Sequence, residues 1–191
     1  LVFKGGTALM LILGKSAHRL SIDIDLICPP GTNIEDYLKS FADFGFINLE
    51  LVERKQRDDA DIPKSHSKFF YQIAYRNDTD AQSYILLDVL YEDIHYFRTQ
   101  QIAINCPFIR LEGKPLMVTV PSAEDILGDK LTAFAPNTTG IPYYKNGRSC
   151  SMEIAKQLYD VGRLFENVSD LQITKEAFRK IAVVELSYRS F

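Results

Sequence analysis

Cysteine is scarce in this sequence, and its three copies, Cys28, Cys106 and Cys150, are widely separated. That excludes a disulfide framework and paired C-x-x-C metal ligands, and reduced thiols in a cytoplasmic protein are the expectation. Histidine is as sparse: His18, His66 and His95 fall at no metal-ligand spacing, which argues against a histidine-built metal centre. No apolar run approaches the roughly 20 residues that a membrane-spanning helix needs, so a soluble chain with no membrane partner is expected. The apolar stretch 7–13, set between Lys4 and Lys15, imitates the centre of a secretory signal, but no A-x-A pattern follows it. Positive charge is not in excess either. With 22 basic and 25 acidic side chains the formal net charge is -3, so a nucleic acid would have to be held by a local basic patch. Internal repeats and low-complexity tracts are also missing, which leaves no sign of a repeat array or a biased tail.

What is present is the composition of a globular protein, 46% hydrophobic and 25% charged over 191 residues. A chain of this length buries roughly 70% of the surface its unfolded form exposes, enough for one domain with a helical annex. It opens on Leu1-Val2-Phe3, already patterned as a strand, which predicts a chain that begins inside its fold. Residues 1–4 read as a strand, Gly5-Gly6 as a break and 7–13 as a buried helix. Residues 19–27 alternate apolar and polar with period two until Pro29-Pro30-Gly31, the pattern of a strand. Asn33 is placed to cap a helix whose Ile34, Tyr37, Leu38, Phe41 and Phe44 share a face, ending near Gly45.

Strands are expected at 46–52 and 68–75 around a charged loop, 54–61, followed by a turn at 77–80. Residues 84–91 form an almost wholly apolar central strand that nevertheless holds Asp88. Short strands at 102–109 and 117–120 complete the β-rich part. The pattern turns helical at Pro121-Ser122, where Ser122 and Asp125 resemble a capping box. A loop over 136–149, a helix over 152–165 and a last helix over 175–188 capped by Thr174 follow. The expected fold class is α+β, with a mixed-sheet core over 1–120 and a helical region over 121–191.

The chemistry concentrates near the start. Residues two apart on a strand point to one side, so Asp23 and Asp25 face one site while Ile22, Ile24 and Leu26 face the core. Two carboxylates that close repel each other unless a cation compensates, and Mg²⁺ accepts a few carboxylates together with water and phosphate oxygens. Just upstream, strand, Gly5-Gly6 and helix let the backbone pass close to a ligand, with unpaired amides available to phosphate. A D-x-D alone is more often a pair of surface positions on an edge strand, and Gly-Gly alone a tight turn. The glycines, and Asp88 in an apolar strand where charge is seldom left unpaired, turn the balance towards metal-assisted phosphoryl or nucleotidyl transfer. Lys145 and Arg148 beside Tyr143 and Tyr144 offer a basic and aromatic platform for RNA, although such a run is more often a solvated loop.

Phe3-Lys4-Gly5-Gly6-Thr7-Ala8-Leu9 followed by His18-Arg19-Leu20-Ser21-Ile22-Asp23-Ile24-Asp25-Leu26 resembles the nucleotidyltransferase superfamily signature, in the form of the AbiEii/AbiGii toxin family. The resemblance extends through Asp125-Ile126-Leu127-Gly128-Asp129-Lys130-Leu131-Thr132-Ala133-Phe134 and Lys156-Gln157-Leu158-Tyr159-Asp160-Val161, and so covers most of the chain. Thr7 stands where polymerase-like members carry the serine of a Gly-Ser pair. The gap from Gly6 to Asp23 is longer than in the wider superfamily, and the 136–149 segment lengthens the distance between the lysine and aspartate motifs.

The resemblance implies a nucleotidyltransferase-type core whose helical C-terminal region closes the nucleotide cleft. It implies that Gly5, Gly6 and Thr7 meet the triphosphate, that Arg19 and Ser21 bind phosphate or brace the strand, and that Asp23 and Asp25 hold Mg²⁺, or Mn²⁺ in its place. Asp88 would be the third carboxylate, a general base or a third metal ligand. Lys130 would neutralise triphosphate charge, and Asp160 would orient Lys130 or contact the nucleotide. The expected activity is transfer of NMP from an NTP to an acceptor hydroxyl on RNA such as a tRNA acceptor end, by a toxin of a toxin–antitoxin or phage-defence system with a cognate antitoxin. Family members usually carry residues before the glycine strand. A nucleotide-binding regulatory protein without transfer and a D-x-D metal-dependent glycosyltransferase are the competing readings; the upstream glycine turn counts against the second.

Overall fold

A computed structural model describes residues 1–21, 23–51, 64–72, 82–106 and 110–188. Strand β1 (Val2–Lys4) runs straight into helix α1 (Gly5–Leu13), and β2 (Asp23–Cys28) follows a short 3₁₀ turn. Next come α2 (Glu35–Leu38), β3 (Asn48–Leu51), β4 (Lys64–Gln72) and β5 (Gln82–Tyr91). These strands form a five-stranded sheet in the order β1-β2-β5-β4-β3, with β2 and β5 parallel and every other pair antiparallel. The hairpin β6 (Thr99–Ala103) and β7 (Met117–Pro121) leads into α3 (Ala123–Leu131). A small hairpin, β8 (Tyr144–Lys145) and β9 (Arg148–Ser149), precedes α4 (Ser151–Phe165) and α5 (Leu171–Ser187). This is a mixed α+β fold. Among the described residues no helix is long and apolar enough to cross a membrane.

Strand alternation gives the sheet two unlike faces. Leu26, Cys28, Phe69, Leu87 and Val89 fill one face and pack with Ile34, Leu38 and Phe41, with Phe46 against the Phe69 ring at 5.2 Å. On the other face Val2 and Ile27 meet Tyr96 and Ile181 of α5, and Lys4, Asp23, Asp25, Asp88 and His66 share that face with the buried Leu86 and Leu90. A second core joins α1 to the C-terminal helices through Leu9, Val120, Ile126, Leu127 and Leu164, all nearly or wholly buried. Each such side chain contributes roughly 1.5–3 kcal/mol on burial, so α1 is anchored by its neighbours rather than by its own propensity.

Several boundaries differ from expectation. The glycines do not break the chain but form the first turn of α1, with Gly5 at φ +60°. The acid strand starts at Asp23, and 19–21 precede it as irregular chain. Asn33 does not cap a long helix: its amide donates to Asp36 at 2.9 Å, and α2 spans four residues before a 3₁₀ turn that Gly45 ends. Tyr37 and Phe44 are exposed, so the burial that would hold a longer helix is available only to Ile34, Leu38 and Phe41. Strand β4 starts at Lys64, four residues before the expected position, because the long β5 offers it partners through Leu90. Strand β6 also starts earlier, at Thr99.

The last helix is capped by Asp170, which accepts from Gln172 N at 2.9 Å, while Thr174 lies one turn inside with its hydroxyl buried. The Ser122 cap is present, accepting from Asp125 N at 3.1 Å, but the Asp125 carboxylate accepts instead from the backbone of Phe97 and Arg98. The charged loop at 54–61, the turn at 77–80, and the expected strand ends 73–75 and 107–109 lie outside the described residues.

Helices α3 and α5 touch at Gly128, where an added Cβ would stand 2.7 Å from Ala177 Cβ and Phe178 N and 2.8 Å from Thr174 O. Backbone atoms cannot step aside as a flexible side chain can. Gly128→Ala gains about 1 kcal/mol of helix propensity, yet the forced separation costs about 1–3 kcal/mol. The expected result is net destabilisation in urea unfolding, and an alanine variant more stable than the parent would refute this packing.

Candidate active site

The charged face of the sheet is organised by register. Lys4 stands opposite Asp25, Asp25 opposite Asp88 and Asp88 opposite His66, so one residue from each of β1, β2, β5 and β4 forms a row across four strands. His66 Nδ1 and Asp88 Oδ1 are 2.7 Å apart. Asp23 lies two residues before Asp25 on the same face. Burial raises the Asp25 carboxyl above the ordinary carboxylate range; repulsion from Asp88 and Asp23 adds to this, and Lys4 and Lys130 oppose it. Burial would lower the Lys4 ammonium, but Asp129, Glu92, Glu185 and Asp25 outweigh it and hold the group above its usual value. Lys64 faces the same side two residues before His66 and is lowered by burial and by Lys4.

Gly5 is demanded by contact with this acid strand, and Gly6 lies close against two residues that precede it. A Cβ on Gly5 would stand 2.1 Å from Asp25 Oδ2, and one on Gly6 would stand 2.6 Å from Ser21 Oγ and 3.0 Å from an Arg19 guanidinium nitrogen. At φ +60° the Gly5 backbone is also in the left-handed region that glycine tolerates best. Thr7 Oγ1 donates to the Asp23 carbonyl at 2.7 Å, and Ser21 Oγ donates to the same oxygen at 3.0 Å. Both hydroxyls therefore fix the strand that carries the acids.

Across from the acids is an ion triad. Arg19 grips Asp160 with two bonds of 2.6 and 2.7 Å, and Lys130 Nζ lies 2.8 Å from Asp160 Oδ2 and donates to Gln157 at 3.0 Å. Asp160 is 0% exposed. Burial alone would raise its carboxyl, but the Arg19 hydrogen bonds and the Lys130 charge prevail and hold it below the usual range.

Gly5, Gly6, Arg19, Ser21, Asp23, Asp25 and Lys130 thus line a single cleft of about 1220 Å³. Thr7, Asp88 and Asp160 fall outside its lining: Thr7 is turned to the Asp23 carbonyl, Asp88 to His66 and Asp160 to the two cations. Among the described residues no three His, Cys, Asp or Glu side chains converge as a complete cation cage. Asp23 and Asp25 nevertheless fit a hard divalent cation, being oxygen donors on one face whose mutual repulsion such an ion relieves, with phosphate and water able to fill its other positions.

Three further residues of the cleft escaped the sequence reading. Lys4 and His66 are visible only once strand register is known, and Gln157 only once α4 is docked beside Lys130. The alternation of Lys64, His66 and Lys68 along β4 was the available signal for His66. His18 is exposed beyond the first 3₁₀ turn, and His95 lies 3.8 Å from Glu92 and does not line the cleft.

No curated protein matches the chain. Among solved structures it is similar to the crystal structure of JHP933 from Helicobacter pylori, with TM-score 0.47 and 17% identity over 99% of this chain and 84% of that one. The family model described as nucleotidyl transferase AbiEii toxin, type IV TA system, matches residues 1–187. The chain therefore belongs to the AbiEii nucleotidyl transferase toxin family of type IV toxin–antitoxin systems.

Proposed function

We propose that this nucleotidyltransferase moves an NMP from an NTP to an acceptor hydroxyl on RNA, of the class of a tRNA acceptor end. It acts in the cytoplasm as a toxin in phage defence and is restrained by a cognate antitoxin. The observation that carries the reading is the contact of Gly5 with Asp25 and of Gly6 with Arg19 and Ser21, which sets the start of α1 against the acid pair. A phosphate chain laid there meets backbone amides on one side and cation-binding carboxylates on the other.

In this reading residues 1–120 form the catalytic core and 121–191 wall the cleft, supported by Lys130 and Gln157 lining it from α3 and α4. Asp23 and Asp25 would hold Mg²⁺ or Mn²⁺, which when bound supplies charge neutralisation at the reacting phosphate. Arg19 and Lys130 place two positive charges where the leaving pyrophosphate needs them. The Asp160 carboxylate keeps both cations pointed inward and Gln157 steadies Lys130. Asp88, bonded to His66 and opposite Asp25 in the sheet, would take the acceptor hydroxyl proton or complete the cation site once turned into the cleft.

With MgCl₂, each α-labelled NTP in turn and total tRNA, the purified protein is expected to label RNA and release pyrophosphate. Asp25→Asn should lower the rate by about 10²–10³-fold, the usual loss when a charge-stabilising group leaves an active site. Undiminished labelling by that variant would overturn the assignment.

A second expectation concerns stability. The Asp160 carboxyl is depressed in the folded chain, so its contribution is present above the unfolded carboxyl value of about 3.9 and is lost as pH falls through the lower folded value. Asp160→Asn strands two cations beside a neutral amide and should cost on the order of 3 kcal/mol at pH 7. The acid-side slope of stability against pH should flatten in the variant. Urea unfolding between pH 3 and 7 measures both, and an unchanged slope would show that Asp160 is not the group responsible.

A further inference from the structure

The hairpin β8–β9 stands at the rim of the cleft, which its Lys145 lines, and supplies none of the site residues assigned above. Its two-residue turn, Asn146-Gly147, has both φ values positive, 51° and 75°, the geometry of a type I′ turn whose twist matches the paired strands. Tyr144 pairs with Ser149 and Lys145 with Arg148, and Cys150 N donates to the Tyr143 carbonyl at 2.9 Å. The hairpin is therefore a firmly shaped projection.

What it presents is costly for the isolated chain. Tyr143 and Tyr144 are 62% and 71% exposed, leaving two aromatic faces in water. Lys145 and Arg148 stand directly opposite each other, an arrangement of like charges that weakens a strand pair. Lys156 on α4 joins Lys145 in lining the cleft, and none of these three cations forms an ion pair among the described residues. Local violations of stability rules of this kind mark places selected for binding.

We propose that this hairpin binds the single-stranded end of the RNA acceptor, with bases stacked on Tyr143 and Tyr144 and phosphates met by Lys145, Arg148 and Lys156. The inference rests on the nucleotidyl-transfer reading and names the acceptor subsite for it. Flat aromatic faces interleaved with unpaired cations suit an unstacked strand, whose bases and phosphates alternate at similar spacing. A duplex would offer phosphates but no free base faces. An acidic protein segment would use the cations and leave the tyrosines idle.

The test uses the full chain and a fluorescein-labelled single-stranded 12-nucleotide RNA with a free 3′ hydroxyl, read by anisotropy at several salt concentrations. Tyr143→Ala with Tyr144→Ala should weaken binding by about 10-fold or more, given stacking losses of roughly 1–3 kcal/mol per base. Tyr→Phe at both positions should retain most of the affinity, since stacking needs the ring and not the hydroxyl. Lys145→Ala with Arg148→Ala should reduce the slope of log K against log salt by about 1.4, roughly 0.7 for each phosphate of a single strand that is no longer neutralised. NTP affinity of the tyrosine variants should stay at the wild-type value.

RNA affinity unchanged by the tyrosine substitutions overturns the proposal, as does equal binding of a blunt duplex of the same sequence. Competition by polyglutamate as effective as that of unlabelled RNA, and insensitive to the tyrosines, would assign the hairpin to an acidic protein partner instead. The two readings fail separately. A wild-type chain that transfers no nucleotide but binds RNA through the hairpin refutes the transfer reading alone; transfer with an RNA KM indifferent to the hairpin refutes this inference alone.

Discussion

Two hydrogen atoms, standing where other residues carry side chains, allow the acid strand to lie against the start of the first helix. Gly5 and Gly6 follow Lys4 without a break, and any Cβ there would enter the space of the Asp25 carboxylate or of Ser21 and Arg19. The rest of the site is adjusted to that closeness. Thr7 and Ser21 converge on the Asp23 carbonyl and pin the strand in place, while Leu9 and its neighbours bury the far side of the helix in the second core. Hydrophobic packing sets where α1 sits, and the missing side chains set how near to the acids its amides can come.

That closeness has an electrostatic cost, which the fold meets with fixed cations on two sides. Lys4 compensates Asp25 from the neighbouring strand while Asp129 holds the same ammonium at 3.9 Å. Arg19 and Lys130 converge on Asp160, buried where a lone carboxylate would be expensive. The two groups differ in kind. Lys4 lowers the repulsion among the acids, whereas Arg19 and Lys130 are held in place by an acid outside the cleft lining.

The glycine turn, the D-x-D alternation, the Ser122 cap and the two C-terminal amphipathic helices were readable because each is a local pattern: a spacing, a period or a capping side chain. The row from Lys4 to His66 was not, since it exists only through the register of four strands, two of them far apart in sequence. The Asn33 helix misled for a related reason. Its apolar spacing is real, but burial reaches only part of that face, and packing overrules periodicity. Thr174 misled because a threonine one turn inside a helix looks, in sequence, like a threonine at its start; Asp170 has the nearer amides. Asp88 was noticed as an acid in an apolar strand, but the histidine that accompanies it lies on a strand whose polar residues resembled loop.

The bond between Arg19 and Asp160 spans 141 residues of chain. A ribosome that has extended the protein through β7 has already released the glycines and the acids, yet the carboxylate that gathers Arg19 and Lys130 has not been made. The side of the cleft that holds Arg19, Lys130 and Asp160 is therefore completed late, when α4 docks. Because Arg19 and the carboxylate that holds it are far apart in sequence, a product that stops before α4 carries the conspicuous motif without the organised charge.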